Sequence, residues 1–300
     1  MTTAAAQWRP AVSVVVPFRG NRAAADRLLP ALRSLDLRDG DEVVVADNTA
    51  AAHRIESDGI RVVRAARERS AYHARNEGAR DTTAGWLLFL DADCTPQPGL
   101  LGEYFAEPIP DGCGAVAGQI LGEPGQASFA ARYARSRNLF DHAEGLIRAD
   151  GGGAVAGNLL VRRAAFERIG GFTEGIRSGG DLDLCRRLDG DGWRLEFRPR
   201  AVVHHRHRAT LPSLLGAVAR YGAGARWLNE RYPGSSPPWP LRYGLLATAR
   251  DIVTRLRERQ VREAVFRGVD GLGLVAHRIG YASSNDAAPR STQSAPTCRA

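Results

Sequence analysis

Two carboxylates at alternate positions, Asp91 and Asp93, leave the most hydrophobic run of the chain, Trp86 to Leu90 (WLLFL). Carboxylates so spaced at a strand exit can converge on one hard cation, which in turn can hold a diphosphate. The same residues also read as a polar loop with a helix-capping Asp ahead of Thr95-Pro96. Asp47 ends a second apolar run, where it can accept hydrogen bonds from a base or ribose; Asp47-Asn48-Thr49 is equally an ordinary turn cluster. Arg75, in Ala74-Arg75-Asn76-Glu77-Gly78, can reach a phosphate or base from a helix start, or be a solvated helix arginine.

Further along, Gly179-Gly180-Asp181-Leu182-Asp183 sets two acids behind two glycines at a helix start. Glycines let a backbone approach a ligand closely, and an Asp there can serve as a general base. Simple N-capping by Asp181, with Asp183 favoured by the helix dipole, explains the same residues. Gly151-Gly152-Gly153 and Gly157-Asn158 suggest tight turns beside a strand. His204, His205 and His207 cluster at another strand end, with Arg206 and Arg208 between and after them. One of these histidines could ligate a metal, and the arginines could meet phosphate.

These residues need a scaffold, and the alternation of elements supplies one. Ala11 to Pro17 (AVSVVVP) reads as a buried strand, followed by a helix capped by Asn21 with Leu28, Leu29, Leu32 and Leu35 at helical spacing. Strands at Glu42–Ala46, Arg61–Arg64 and Trp86–Leu90, with a helix over Ala71–Ala79, complete a β-α-β alternation. That pattern predicts a doubly wound parallel sheet covered on both faces, with ligands beyond the carboxyl ends of the strands. The next stretch predicts strands at Gly114–Leu121, Gly153–Val161, Arg194–Phe197 and Ala201–His204, and helices at Ser128–Leu146 and Asp181–Leu188. Helices follow at Leu211–Glu230 and, after a Pro-rich break, Leu241–Tyr281. The Ser/Pro/Ala-rich stretch from Ala282 to Ala300 predicts a disordered tail.

Composition narrows the classes. The chain has 300 residues, 44% of them hydrophobic and 25% charged, which suits a globular fold rather than wholesale disorder. Its four cysteines (Cys94, Cys113, Cys185, Cys298) form no CxxC pair, against a zinc ribbon or a disulfide-stapled module. Uncharged stretches run to about eleven residues, short of a membrane span. The N-terminus MTTAAAQWRP lacks the pattern of a secretory signal. All 41 basic residues are arginine, and they are unevenly spread: residues 201–300 hold 15 Arg against 6 acids, a net of +9, whereas residues 1–200 hold 26 against 27. HExxH, a GxGxxG after the first strand, GxxxxGK[ST] and GxSxG are all absent, which weighs against a zinc hydrolase, a dinucleotide oxidoreductase, a P-loop enzyme and an α/β-hydrolase.

Taken in order, VSVVVPFRGN, EVVVADNT, ARNEGA, the run ending LLFLDAD, GNLLVRRAAFERIGGF, GGDLDLCRRL and RPRAVVHHRHR resemble the family-2 glycosyltransferases over about residues 11 to 208. The resemblance implies the GT-A fold: a Rossmann-like, mostly parallel central sheet with helices on both faces, here with a C-terminal helical extension. The expected divisions are an extension at 1–10, a catalytic domain at 11–208 (nucleotide-binding half 11–93, acceptor half 94–208), a helical region at 209–281 and a tail at 282–300. It further implies a nucleotide-diphosphate-sugar donor, foremost a UDP-sugar, a divalent cation (Mn²⁺ or Mg²⁺), and inversion by direct displacement onto an acceptor hydroxyl.

By the same resemblance Pro17, Arg19, Asp47, Arg75 and Asp91 would hold the nucleotide sugar, and Asp93 and His205 the metal. Asp181 would be the base, and Gly157, Asn158, Gly180 and Asp183 would belong to the acceptor and sugar pocket. The family's acceptor motif is usually Glu-Asp-x-Asp, whereas Gly180 stands here in the Glu position. The second strand also ends in one Asp where many relatives have two. A catalytically silent nucleotide-sugar-binding protein and a nucleotidyltransferase remain as alternatives; Pro17-Phe18-Arg19-Gly20 is a poor phosphate loop for the second.

The C-terminal arginines alternate with Leu245, Leu246, Ile252, Val253, Leu256, Val261 and Val265. Such helices can lie on anionic lipid or pack their apolar face on the catalytic domain. The expectation is therefore a cytoplasmic protein, with peripheral contact at the inner face of the cell membrane and a lipid-linked or envelope acceptor as its extension. Nucleic acid is not an expected partner, because no recognisable module is present.

Overall fold

The computed structural model describes residues 9–49, 59–139, 153–238 and 240–288. An eight-stranded sheet runs through it in the order β3-β2-β1-β4-β7-β6-β8-β5. The strands are β1 (Val12–Phe18), β2 (Glu42–Asp47), β3 (Arg61–Arg64), β4 (Trp86–Leu90), β5 (Cys94–Pro96), β6 (Cys113–Gly122), β7 (Asn158–Arg162) and β8 (Arg194–His205). Strands β3, β2, β1 and β4 are mutually parallel; β7 enters antiparallel between β4 and β6, and β8 returns parallel to β6. The sheet is therefore mixed, with its parallel half at the N-terminus as expected.

Both faces are covered, and the period of two along the strands sorts the core. Val12, Val14 and Val16 of β1 and Leu88 and Leu90 of β4 pack with α1 (Arg22–Arg33) and α3 (Leu100–Tyr104). Val15, Leu87 and Phe89 face the other way, toward α2 (Ala71–Arg80), α5 (Arg163–Arg168) and α6 (Gly180–Gly190). Because β1 and β4 are buried on both sides, they read as continuous apolar runs. Asn21 caps α1 as expected, its Oδ1 accepting from the Ala24 N–H at 3.1 Å.

Several boundaries differ from the expectation, each for a local reason. The first strand continues through Pro17 to Phe18, whose carbonyl accepts from the Asn48 N–H at 2.7 Å. Strands β5 and the short helices α3 and α5 are too brief to show a period. The two strands expected within 194–204 are one: β6 pairs Gly118 with Arg198 but Gln119 with Val202, so a bulge breaks the alternation without ending the strand. The strand expected at 153–161 begins only at Asn158. Helix α4 covers Phe129–Ser136; the continuation expected to Leu146 lies partly outside the described residues, as do Gly151 and Gly152.

Beyond the sheet come α7 (Leu211–Arg231), α8 (Leu241–Arg257) and α9 (Val261–Tyr281). The single helix expected over 241–281 is two, broken at Arg259, which takes a left-handed φ of 59°. Helices α7 and α9 touch backbone to backbone: a Cβ on Gly222 would lie 2.1 Å from the His277 carbonyl oxygen. A small core of Ala130, Tyr133, Leu214, Phe266 and Val269 joins this helical layer to α4. The expected tail is also corrected in part. Ala287 N–H donates to Gly175 O at 2.8 Å, Arg177 N–H to Asn285 O at 2.9 Å, and Asn285 is buried, so the chain through residue 288 is tied to the domain. Residues 289–300 lie outside the described residues. Cys94, Cys113 and Cys185 are buried free thiols, and burial pushes Cys113 up to about 11.

Candidate active site

At the carboxyl edge of the parallel strands lies a cavity of about 670 Å³. Arg19, Arg75, Asp91, Asp93, Gly157, Asp181, His205, His207 and Arg208 line it, with α7 along one wall. The DxD carboxylates, the proposed base and the late histidines, spread over more than one hundred residues of sequence, therefore meet in one place.

Backbone pairing fixes the loop that carries the carboxylates. Strand β5 pairs antiparallel with the end of β8, Cys94 opposite His205 and Thr95 opposite His204. The Arg206 N–H donates to Asp93 O at 2.8 Å, and Asp91 N–H to Gly157 O at 3.4 Å. This register sets His205 Nε2 3.5 Å from Asp93 Oδ1. Alternation along the strand turns His204 away, and it does not line the cavity, whereas His207 does, its ring 5.3 Å from that of His205. Burial and the neighbouring His205 pull His207 down to about 4, so it is neutral at physiological pH.

Arg75 is almost fully buried against the stacked rings of Tyr72 and Phe172 and gives Nη2 to Asp91 Oδ1 at 2.5 Å. Its buried Nε has no hydrogen-bond partner among the described residues. Burial raises Asp91 above the ordinary carboxylate range, with Arg75 opposing and Asp93 and Asp181 adding to the rise. Asp93 is held below that range: burial works against ionisation, but His205 and Arg208 outweigh it. The two neighbouring carboxylates are thus pushed in opposite directions.

Asp181 sits in the first turn of α6, behind Gly179 in a left-handed conformation (φ 88°). Its Oδ1 accepts from the Tyr72 hydroxyl at 2.7 Å and its Oδ2 from the Ala156 N–H at 3.1 Å. Nothing in the local sequence pattern of Tyr72 separates it from a core aromatic. Gly180 is confined by that same residue. A Cβ there would stand 2.8 Å from the Tyr72 ring, so the Glu usual in the family's motif has no room.

Other expected site residues lie elsewhere. Asn158 is buried in a knot: Oδ1 accepts from the Tyr104 hydroxyl at 2.8 Å, and Nδ2 donates to Gln119 O and Ala201 O at 3.0 and 2.8 Å. It joins β7 to β6, β8 and α3 and does not line the cavity. Asp183, fully buried one half-turn past Asp181, faces the opposite way. It accepts from Thr173, Arg187 and Tyr232 at 2.7–2.8 Å and pairs with Arg231 at 2.9 Å, binding α6 to α7. Pro17 lies inside β1, opposite Ala46, outside the cavity lining. Asp47 sits at the same sheet edge but pairs with Arg64 at 2.9 Å. A separate group, His73, Glu77 and Glu174, has ligand atoms close together, yet Arg67, Arg80 and Asn76 already engage it. It ties α2 to the 172–176 turn, and none of the three lines the cavity.

Residues 13–170 match the family described as Glycosyl transferase family 2. The chain is 32% identical over 250 residues to the pre-mycofactocin glycosyltransferase of Mycobacterium tuberculosis, covering 78% of this chain and 51% of that protein. It thus spans about half the length of that curated relative. Among solved structures it resembles the mannosyltransferase PcManGT from Pyrobaculum calidifontis, in complex with GDP-Man and Mn²⁺, with a TM-score of 0.63 at 19% identity over 92% of this chain and 88% of that one. A second is the glucosyl-3-phosphoglycerate synthase of Mycobacterium tuberculosis, in complex with Mn²⁺, UDP-Glc and glycerol 3-phosphate, with a TM-score of 0.50 at 20% identity over 74% and 80%.

Proposed function

The chain belongs to glycosyl transferase family 2, and from that premise we propose that it moves a sugar from a nucleotide-diphosphate-sugar to an acceptor hydroxyl with inversion, Asp181 acting as the base. The observation that carries this reading is the shared cavity: Asp181 opens onto the same space as Asp91, Asp93, His205 and Arg75. A silent binding protein has no need of a base so placed. A nucleotidyltransferase would need a phosphate loop after β1, where only Arg19 reaches the cavity.

The donor set fits a divalent cation. The Asp93 carboxylate oxygen and the His205 imidazole nitrogen are 3.5 Å apart, close enough for one small cation to take a donor from each. Mn²⁺ or Mg²⁺ held by Asp93 and His205, beside Asp91, would neutralise charge building on the leaving diphosphate.

The protein's own groups do the rest. Arg75 sets a fixed positive charge at the cavity wall and holds Asp91 in place. Arg19 and Arg208 add cations at the cavity wall. In the displacement the acceptor oxygen bonds to the anomeric carbon as the carbon–oxygen bond to the diphosphate breaks. The acceptor proton passes to the Asp181 carboxylate, which keeps a lone pair on each oxygen beyond the bonds it accepts. Positioned proton transfer of this kind contributes a factor of roughly 10² to 10⁴. Asp47, paired with Arg64 at the same sheet edge, takes the ribose or base side of the donor, for which a UDP-sugar is the first candidate.

Peripheral contact with the inner face of the membrane belongs to the same reading, with a lipid-linked acceptor. No helix among the described residues is long and apolar enough to cross a membrane. Helix α8, however, buries none of its residues and turns Tyr243 (70% exposed), Leu246, Val253 and Leu256 outward among Arg242, Arg250 and Arg257.

The test is release of nucleoside diphosphate from a panel of UDP- and GDP-sugars in Mn²⁺, with Asp93→Ala and Asp181→Asn alongside. Transfer lost in Asp181→Asn and a higher Mn²⁺ requirement in Asp93→Ala support the reading; a panel with no release and no metal-dependent thermal shift would sink it.

A further inference from the structure

One wall of the cavity is unlike the rest. Leu214, Ala217, Val218, Tyr221, Ala225 and Leu228 of α7 recur at the three- and four-residue steps of a single helix face, and all line it. Leu182 and Val155 face them from the α6 side. This stripe starts beside the proposed base: a Cβ on Gly179, two residues before Asp181, would touch Gly224 O and Leu228 at 3.2 Å. Tyr221, on the same stripe, lines the cavity that Asp91 and Asp181 also line. The whole of α7 lies beyond the 13–170 segment that matches the family.

A sugar nucleotide is polar where its diphosphate and sugar sit, and the arginines, carboxylates and histidines of the opposite wall answer that chemistry. They leave the α7 stripe without an occupant in the donor's sugar-diphosphate portion. We propose that the stripe is the acceptor subsite, and that the acceptor carries its reactive hydroxyl on an amphipathic molecule whose apolar body lies along α7. The inference rests on Asp181 as base, since that residue sets which end of the stripe the hydroxyl must occupy. Leu214, Ala217 and Leu228 are buried at the back of the stripe, and a small polyol or bare sugar would leave its accessible part, Val218, Tyr221 and Ala225, facing water. An apolar body removes that surface from water, at about a three- to fourfold gain in affinity per buried methylene.

The probes are methyl, phenyl, octyl and dodecyl β-D-glucosides, which share their hydroxyls and differ only in the apolar group. Their binding to the full chain is measured calorimetrically, below their micelle concentrations, with and without saturating UDP and Mn²⁺. Octyl glucoside is expected to bind at least about tenfold more tightly than methyl glucoside. The near-isosteric pair Val218→Thr/Ala225→Ser should erase most of that preference while the melting temperature stays within about 3 °C. Affinity that levels off at phenyl assigns a compact soluble aglycone, whereas affinity still climbing at dodecyl assigns a lipid chain. Equal binding of methyl and octyl glucosides overturns the proposal, and so does competition between octyl glucoside and UDP, which would give the stripe to the donor's base. Asp181→Asn separates the two readings. It should retain the octyl preference and lose transfer; normal transfer by that variant would instead remove the base assignment.

Discussion

The Tyr72 hydroxyl donates a 2.7 Å hydrogen bond to Oδ1 of Asp181 across 109 residues of sequence, and the ring of the same tyrosine excludes any side chain at Gly180. One residue therefore both orients the proposed base and dictates its neighbour. Stacking of that ring on Phe172 and against the Arg75 guanidinium fixes it from behind. Tyr72→Phe should lower kcat roughly tenfold or more, the worth of a hydrogen bond to a charged group, with little change in donor KM. Gly180→Ala should act through the same contact by displacing the ring. Steady-state kinetics of both single variants and the double will decide: the double should lose far less than the product of the single losses. Simple multiplication would mean that the two residues act independently.

Asp93 and His205 make a metal prediction. Asp93→Ala should raise the Mn²⁺ concentration for half-maximal diphosphate release at least about tenfold. His204→Ala, by contrast, should leave that concentration unchanged, because strand alternation turns His204 away from the cavity. A metal titration of His204→Ala beside His205→Ala, which should need more Mn²⁺ just as Asp93→Ala does, separates the histidines.

Asn158 is predicted to matter for folding rather than for the sugar. Asn158→Ala strips partners from Tyr104 Oη, Gln119 O and Ala201 O, three buried polar groups, and should cost about 2–4 kcal/mol in denaturant unfolding. Activity per folded molecule should survive at temperatures where the variant is folded. A selective rise in KM for one donor, with stability intact, would restore Asn158 to the sugar pocket.

Stability toward acid should depend on Glu42. Burial alone would raise its carboxyl, but hydrogen bonds from the Thr83 N–H and hydroxyl and from Ser13 and Arg61 hold it at about 2. A folded value below the unfolded one of 4.5 gives stability that is complete above pH 4.5 and lost as pH falls toward 2. After screening by solvent, this amounts to about 1–2 kcal/mol. Glu42→Gln should flatten that part of the unfolding free energy measured from pH 6 to pH 2.5. An unchanged pH slope would locate acid sensitivity elsewhere, with Asp41 and Asp183, both held below the ordinary range, the next groups to vary.

The outward face of α8 should bring the protein to anionic vesicles at low salt. Arg242→Glu/Arg250→Glu/Arg257→Glu should abolish co-sedimentation, and high salt should do the same to the wild type. Absence of binding at low salt would leave α8 as a solvated helix.

What the sequence determined by itself was the parallel half of the sheet and the positions of the ionisable groups at its edge. Apolar runs closed by Asp47 and Asp91 announce buried strands, because only a two-sided core tolerates VVVA and WLLFL without alternation. The helix start at Asn21 was equally legible, since capping chemistry is local; α6, expected to be capped by Asp181, instead starts from Gly179, with no side-chain cap. Tertiary structure decided which way each polar group turned. Asp181 and Asp183 differ by two residues on one helix, so they leave its axis in nearly opposite directions: one reaches the cavity, the other a knot of Thr173, Arg187 and Tyr232. Register made the same choice among the histidines, through the pairing of Cys94 with His205. Tyr72 and the α7 stripe were invisible for a related reason. A core aromatic and an apolar helix face look the same in sequence whether they meet another helix or the space beside a base.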